Sequence, residues 1–69
     1  MSLEERVYRL VTEPLADGKT VCYEGKEVTQ VDAIGLDTIR IYFSPFVYLD
    51  RDARGAEFTV KRGGTTCKN

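Results

Sequence analysis

The sequence predicts an α+β domain, in which one short N-terminal helix is followed by a highly bent antiparallel sheet of five strands. Apolar residues recur at helical spacing at the start of the chain. β-type alternation then runs almost without a break from Lys19 to Arg62. Gly, Pro and Asp residues interrupt this alternation every few residues, which is typical of tight turns. A chain of 69 residues has room for one domain, which we place at 1–62.

The helix is predicted over about 2–13. Ser2 and Glu5 fit a capping box, in which each side chain bonds a free backbone N–H group at the helix start. Four apolar residues follow at i, i+4, i+7 and i+8: Leu3, Val7, Leu10 and Val11. This spacing predicts one apolar stripe that packs on the sheet. Pro14 is expected to end the helix, because the residue before a proline avoids the α region.

The five strands are predicted over residues 19–24, 27–34, 38–44, 46–49 and 56–62. Gly25 predicts a tight hairpin between the first two strands. In the second strand, Val28, Val31 and Ile34 are spaced by three residues instead of two. We therefore expect a β-bulge or a sharp bend near Thr29-Gln30.

Alternation in the third and last strands predicts which side chains enter the core. The residues expected to face inward are Ile39, Ile41, Phe43, Phe58 and Val60. Residues 50–55 predict a charged loop because four of the six are Asp or Arg. Residues 63–69, which are rich in Gly and Thr, predict a flexible tail.

One helix followed by five short antiparallel strands with tight turns favours a small barrel. An SH3-like or Sm-like barrel is the first choice, and an OB-like barrel is the second. The order of elements is similar to that of Sm-like proteins at the level of topology. Because folds of this size host many functions, the function has to be argued from the surface.

The residue types that most enzymes depend on are missing from this chain. There is no histidine, and the two cysteines are far apart in sequence. We therefore predict a non-enzymatic protein without cofactor or bound metal. Four carboxylates lie in or beside predicted turns: Asp32, Asp37, Asp50 and Asp52. Asp is favoured in turns for its local hydrogen bonds, so we assign no acid–base chemistry to them.

Charge is nearly balanced over the whole chain but unevenly distributed along it. Ten basic and eleven acidic residues give a net charge of -1, whereas dedicated polyanion binders are usually clearly basic. Residues 1–50 carry five basic and nine acidic residues, or -4, and residues 51–69 carry five and two, or +3. The basic end predicts either a solvated hairpin and tail or a small anion-facing patch.

Localisation and cysteine state are predicted together. No apolar run approaches the roughly 18 residues that a membrane span needs, and no apolar signal-peptide core follows the acidic N-terminus. We therefore predict a cytoplasmic protein with no membrane partner, in which Cys22 and Cys67 stay reduced. A disulfide that ties the tail to the first strand is the alternative.

The segment from Phe46 to Leu49 is apolar at every position, although a strand with one face in the core should alternate. One pair, either Phe46 with Tyr48 or Val47 with Leu49, must therefore face away from the sheet interior. Either the N-terminal helix covers that pair, or the pair forms an interface with a partner, because exposed apolar strands are seldom left bare.

A second candidate surface is the outward face of the third strand. Arg40 and Tyr42, together with Tyr48 and Lys61, predict a flat aromatic and basic platform. Such platforms bind single-stranded nucleic acid by stacking bases on rings while cations follow the phosphates. The alternative is an ordinary solvated β face with cross-strand pairs.

These observations favour a small binding module that acts through protein–protein interaction. The predicted contact residues are two apolar anchors and their rim: Phe46, Tyr48, Tyr42, Arg40, Arg51 and Arg54. Arg and Tyr often contribute much of the binding energy of an interface. The partner is expected to be another protein or a second copy in a homo-oligomer. The size suits an accessory regulator or inhibitor of the kind that phages and mobile elements encode, and a nucleic-acid-binding barrel is the second choice.

Overall fold

The computed structural model describes residues 2–67 and confirms the α+β class. One helix, α1, covers Leu3–Ala16, and a short 3₁₀-helix covers Ala53–Gly55. The strands are β1 Thr20–Tyr23, β2 Lys26–Glu27, β3 Gln30–Gly35, β4 Thr38–Ser44, β5 Val47–Asp52 and β6 Thr59–Lys61. The prediction for β4 agrees with the structure at both ends.

The strands form two antiparallel sheets of three strands each instead of one sheet of five. The strand orders are β2-β1-β6 and β3-β4-β5, and within residues 2–67 neither sheet closes into a barrel. The single strand predicted over 27–34 is divided at Val28–Thr29, where the chain leaves the first sheet for the second. The bend expected near Thr29-Gln30 is therefore confirmed, and it accounts for the additional strand.

The predicted end of the helix was wrong, because α1 continues through Pro14 to Ala16. A proline removes one helical N–H donor but does not stop the chain from adding another turn. The helix ends at Ala16, and two residues later Gly18 has a φ of 77°, which places it in the left-handed region. The N–H of Gly18 bonds the Leu15 carbonyl, and the N–H of Lys19 bonds the Pro14 carbonyl, which together form a Schellman motif.

The start of the helix differs from the predicted capping box. Ser2 occupies the N-cap position, but its side chain makes no capping hydrogen bond. Glu4, and not Glu5, makes a tertiary contact, since its Oε2 accepts a hydrogen bond of 3.2 Å from the backbone N–H of Asp37. The pKa of Glu4 is lowered, first by its own backbone N–H at the helix start and also by Asp37. This contact ties the helix start to the β3–β4 turn.

The core lies between α1 and the inner faces of the two sheets. α1 packs on β1, β3 and β4. The buried core residues are Val7, Val11, Val21, Tyr23, Val28, Val31, Ile39, Ile41 and Ala53. The prediction that Ile39 and Ile41 face the core is confirmed. Phe43 and Phe58 are partly buried and pack against the core.

Two residues expected in the core are exposed. Leu10 is 64% exposed because the buried stripe of α1 is centred on Val7 and Val11, and Leu10 lies at its margin. Val60 is 45% exposed, since α1 does not extend over this part of β6. Both residues line an open groove between α1 and β6.

Cys22 and Cys67 form a disulfide, which corrects the prediction of reduced thiols. The chain turns at Gly63-Gly64 after β6 and runs back past β1, which brings Cys67 to Cys22 with 5.6 Å between their Cα atoms. A contact between residues 45 positions apart has no local signal in the sequence. The bond ties the segment that was expected to be a flexible tail to β1 at Cys67, and residues 68–69 of that segment lie outside the described part of the chain.

Candidate functional site

The β4–β5 hairpin positions most of the predicted contact residues. Residues equidistant from Pro45 pair across it, so Arg40 lies opposite Asp50 and Tyr42 lies opposite Tyr48. These four side chains share the outer face, because Ile39 and Ile41 between them point into the core. The pairing requires β5 to extend to Asp52, whereas residues 50–55 were expected to be a loop.

Arg40 is held in place by two neighbours on this outer face. Its guanidinium binds the Asp50 carboxylate twice, with Nε at 2.8 Å from Oδ1 and Nη2 at 3.2 Å from Oδ2. The same group lies 4.3 Å from the centre of the Tyr48 ring, which is a cation–π contact. The hydrogen bonds to Asp50 raise the pKa of Arg40, and those from Arg40 lower the pKa of Asp50. The positive charge of Arg40 is therefore already matched within the surface.

The two tyrosines form the apolar part of the same face. The centres of the Tyr42 and Tyr48 rings are 5.5 Å apart, and the rings are tilted by 48°. On the neighbouring strand, Gln30 lies opposite Tyr42 and Asp32 lies opposite Arg40. The face therefore carries two aromatic rings and one arginine between two carboxylates, so it is not a basic platform.

Phe46 and Tyr48 extend this face to the end of the hairpin. Phe46 lies in the β4–β5 turn and is 92% exposed, the largest value for an apolar side chain among residues 2–67. Val47 and Tyr48 are about half exposed, whereas Leu49 lies opposite Ile41 and packs against the core. The helix covers neither Phe46 nor Tyr48.

β5 is also an edge strand. In the described part of the chain it pairs only with β4, so one row of its backbone N–H and C=O groups has no strand partner. An unpaired edge is a template for another strand, and proteins usually block it with a charge, a bulge or a covering element. We call Phe46, Val47, Tyr48 and the free side of β5 the aromatic edge.

The two remaining arginines of the predicted set lie elsewhere. Arg51 lies opposite Ile39 and thus on the other face of the sheet from Tyr48. Arg54 lies beyond the end of β5, where its Nη2 is 2.7 Å from Oδ2 of Asp52. Hydrogen bonds from the side chain and backbone of Arg54 lower the pKa of Asp52 to about 2.

Lys61, the other cation of the predicted nucleic-acid platform, is in β6 of the other sheet. The structure therefore brings together Arg40, Tyr42 and Tyr48, with Phe46 at the end of their hairpin. It does not bring Lys61 beside the tyrosines.

Sequence reasoning missed Asp50 as the partner of Arg40. The available signal was that each lies five residues from Pro45, the centre of the turn. We assigned Asp50 to a loop because of its charge, and this removed it from the register. Within residues 2–67, no group of three or more Cys, Asp or Glu side chains is placed to hold a metal ion.

Comparison with known protein families, curated proteins and solved structures finds no significant match. Among residues 2–67, no helix combines the length and the apolar character that crossing a membrane requires.

Proposed function

We propose that this protein is a non-enzymatic binding module that accepts an extended segment of another protein along the aromatic edge. The observation that carries the proposal is the position of Phe46. This ring is almost fully exposed and stands beside a strand whose outer backbone row has no strand partner, although the Asp50 carbonyl in that row accepts a hydrogen bond of 3.1 Å from Nη1 of Arg51. It adds little to the stability of the fold and is available to a partner.

A strand added to β5 would gain affinity from main-chain hydrogen bonds and specificity from pockets for alternate side chains. Phe46 and Tyr48 would be the apolar anchors at one end of the added strand. Tyr48 is well suited to this role because its position is fixed by the Arg40 contact before any partner arrives. A preorganised anchor loses less conformational entropy on binding.

The charges of the hairpin favour a protein partner over a nucleic acid. Arg40 is paired with Asp50, and Arg54 is paired with Asp52. Arg51 makes no ion pair within residues 2–67, but it lies on the other face of the sheet from Tyr48. A face of matched charges attracts phosphates weakly, so binding at the aromatic edge should depend little on salt. The nucleic-acid alternative predicts a steep loss of affinity with salt. Regulation or inhibition of the bound protein is the role that we propose for a module of this size.

The test selects ligands from a library of random peptides and maps them by amide NMR spectra. We expect the largest shifts at residues 47–52, since their backbone groups would bond the peptide. Phe46→Ser and Tyr48→Ser should each weaken binding at least about tenfold while leaving the fold intact. Phe46→Ser should not change the melting temperature, whereas Tyr48→Ser should lower it slightly because the contacts with Arg40 and Tyr42 are lost.

The matched control is Leu36→Ser, because Leu36 is 86% exposed but lies in the β3–β4 turn, at the opposite end of β4. This variant should bind like the wild type. Peptides that shift residues outside β5, or that bind equally well to Phe46→Ser, would contradict the proposal. Binding of a single-stranded oligonucleotide that is lost at high salt would favour the alternative.

A further inference from the structure

A second exposed apolar surface lies between α1 and β6. It is an open groove of about 670 Å³, and none of the residues that line it belongs to β4 or β5. Its apolar residues are Leu3, Val7, Leu10, Pro14 and Val60. Of these residues, Leu10 is 64% exposed and Val60 is 45% exposed.

Along α1, positively charged residues lie before Leu10 and negatively charged residues lie after it. Arg6 and Arg9 lie on the N-terminal side of Leu10, and Glu13 and Asp17 lie on the C-terminal side. Lys19, which follows the helix, also lines the groove. None of these five side chains makes an ion pair within residues 2–67, where the ion pairs are Arg40–Asp50 and Arg54–Asp52. Their charges are thus available to a partner.

The first turn carries Glu4 and Glu5, as the helix dipole favours, but the order from Arg6 to Glu13 is opposite to the one that would stabilise the helix. Cations are favoured near a helix C-terminus and anions near its N-terminus. The last turn of α1 contains no basic residue, and acidic residues stand in it at Glu13 and just beyond it at the C-cap residue Asp17. The helix dipole therefore does not account for the arrangement, whereas an antiparallel helix with the same sequence would complement it.

We propose that the occupant of this groove is a second copy of the chain, related by a two-fold axis that passes near Leu10. In this dimer the two α1 helices lie antiparallel, and the two Leu10 side chains pack on each other. Arg6 of each copy lies against Glu13 of the other, because the contacts of a two-fold interface are reciprocal. In this arrangement the charges along the two helices are complementary.

The dimer is independent of the proposed function, because the groove and the aromatic edge share no residue. Each copy would keep its β5 edge free, so the dimer would present two identical binding edges. A partner with two accessible strands would then bind more tightly than one with a single strand, through effective concentration alone.

The decisive test is a charge-exchange experiment with sedimentation equilibrium as the measurement. Arg6→Glu alone should place Glu against Glu13 at both contacts, and Glu13→Arg alone should place Arg against Arg6. Each variant by itself should sediment as a monomer, with a dissociation constant raised at least about tenfold. An equimolar mixture of the two variants should form a dimer, because every cross-copy contact then joins opposite charges.

Leu10→Glu should also abolish the dimer, and its melting curve under dilute conditions should show that the exposed position tolerates the change. Leu36→Glu and Phe46→Ser are the controls, since both residues are exposed outside the groove and neither change should alter the mass. A wild-type chain that stays monomeric at high concentration overturns the proposal. A dimer whose two single charge variants are not restored by mixing overturns it as well.

Discussion

The backbone of Gly63 lies directly against the carbonyl group of Gly18. A Cβ atom built at Gly63 would collide with the Gly18 oxygen. Gly18 follows the end of α1, and Gly63 follows β6, so this contact joins the end of the helix to the returning C-terminal segment. The lack of a side chain at Gly63 is required by space and not by an unusual φ.

Gly63→Ala is therefore expected to destabilise the fold. The added methyl group must displace backbone, and overpacking of this kind costs about 1–3 kcal/mol. Urea unfolding of the wild type and the variant measures the difference. Gly55→Ala is the matched control, because a Cβ atom there meets nothing within 4 Å. Equal losses in the two variants would show that the close approach to Gly18 does not matter.

The disulfide should contribute a large part of the stability of this small domain. Closing the loop between Cys22 and Cys67 lowers the entropy of the unfolded chain, and the chain-entropy relation gives about 4 kcal/mol for a loop of this length. Reduction should lower the free energy of unfolding by about 2–5 kcal/mol, measured in urea with and without reductant. The stability of Cys67→Ser should not respond to reductant. An unchanged wild-type stability under full reduction would contradict this prediction.

Asp52 should titrate at an unusually low pH. Its pKa is lowered from 3.8 to about 2 by the side chain and the backbone N–H of Arg54. Because the folded-state pKa is the lower one, the stabilisation is complete above pH 3.8 and is lost as the pH falls towards 2. Carboxyl NMR shifts measure this titration directly.

In Arg54→Gln the pKa of Asp52 should move part of the way back towards 3.8, since the backbone N–H remains as a donor. Asp50 is the internal control. Its pKa is lowered by Arg40, so the change at Arg54 should leave it where it is. A shift of Asp50 equal to that of Asp52 would mean that the two ion pairs are coupled.

Truncation of the buried Ile41 and of the exposed Leu10 should change the free energy of unfolding by different amounts. Ile41 is fully buried, so Ile41→Ala should cost about 2–5 kcal/mol of unfolding free energy. Leu10→Ala should change it by no more than about 0.5 kcal/mol at concentrations where the chain is monomeric. Thermal and urea unfolding provide both values. A comparable loss at Leu10 would place that side chain in the core after all.

The features that the sequence predicted well are those with local causes. The alternation of apolar and polar residues in β4 correctly predicted the first and last residues of the strand and the inward orientation of Ile39 and Ile41. The three-residue spacing of apolar residues after Val28 correctly predicted the bend at which the chain passes from one sheet to the other. In each case, neighbouring residues carry the whole signal.

The features that it did not predict depend on distant parts of the chain. The helix continues past Pro14 and is closed by hydrogen bonds from Gly18 and Lys19, and β5 continues through charged residues that pair with β4. The Cys22–Cys67 bond depends on where the segment after β6 returns. The prediction of reduced thiols followed from a cytoplasmic location, and a disulfide, which persists chiefly in oxidising compartments, does not support that location.

The Cys22–Cys67 bond also determines how the molecule responds to a pulling force on its two ends. Tension applied at the termini passes from one cysteine to the other through the covalent bond, so residues 23–66 carry none of it. Both the aromatic edge and its whole supporting sheet lie within this protected loop, while α1 lies outside it. Force would therefore extend the helix and the start of β1 before it reached the hairpin, and a module attached by its ends could keep its binding edge folded under load.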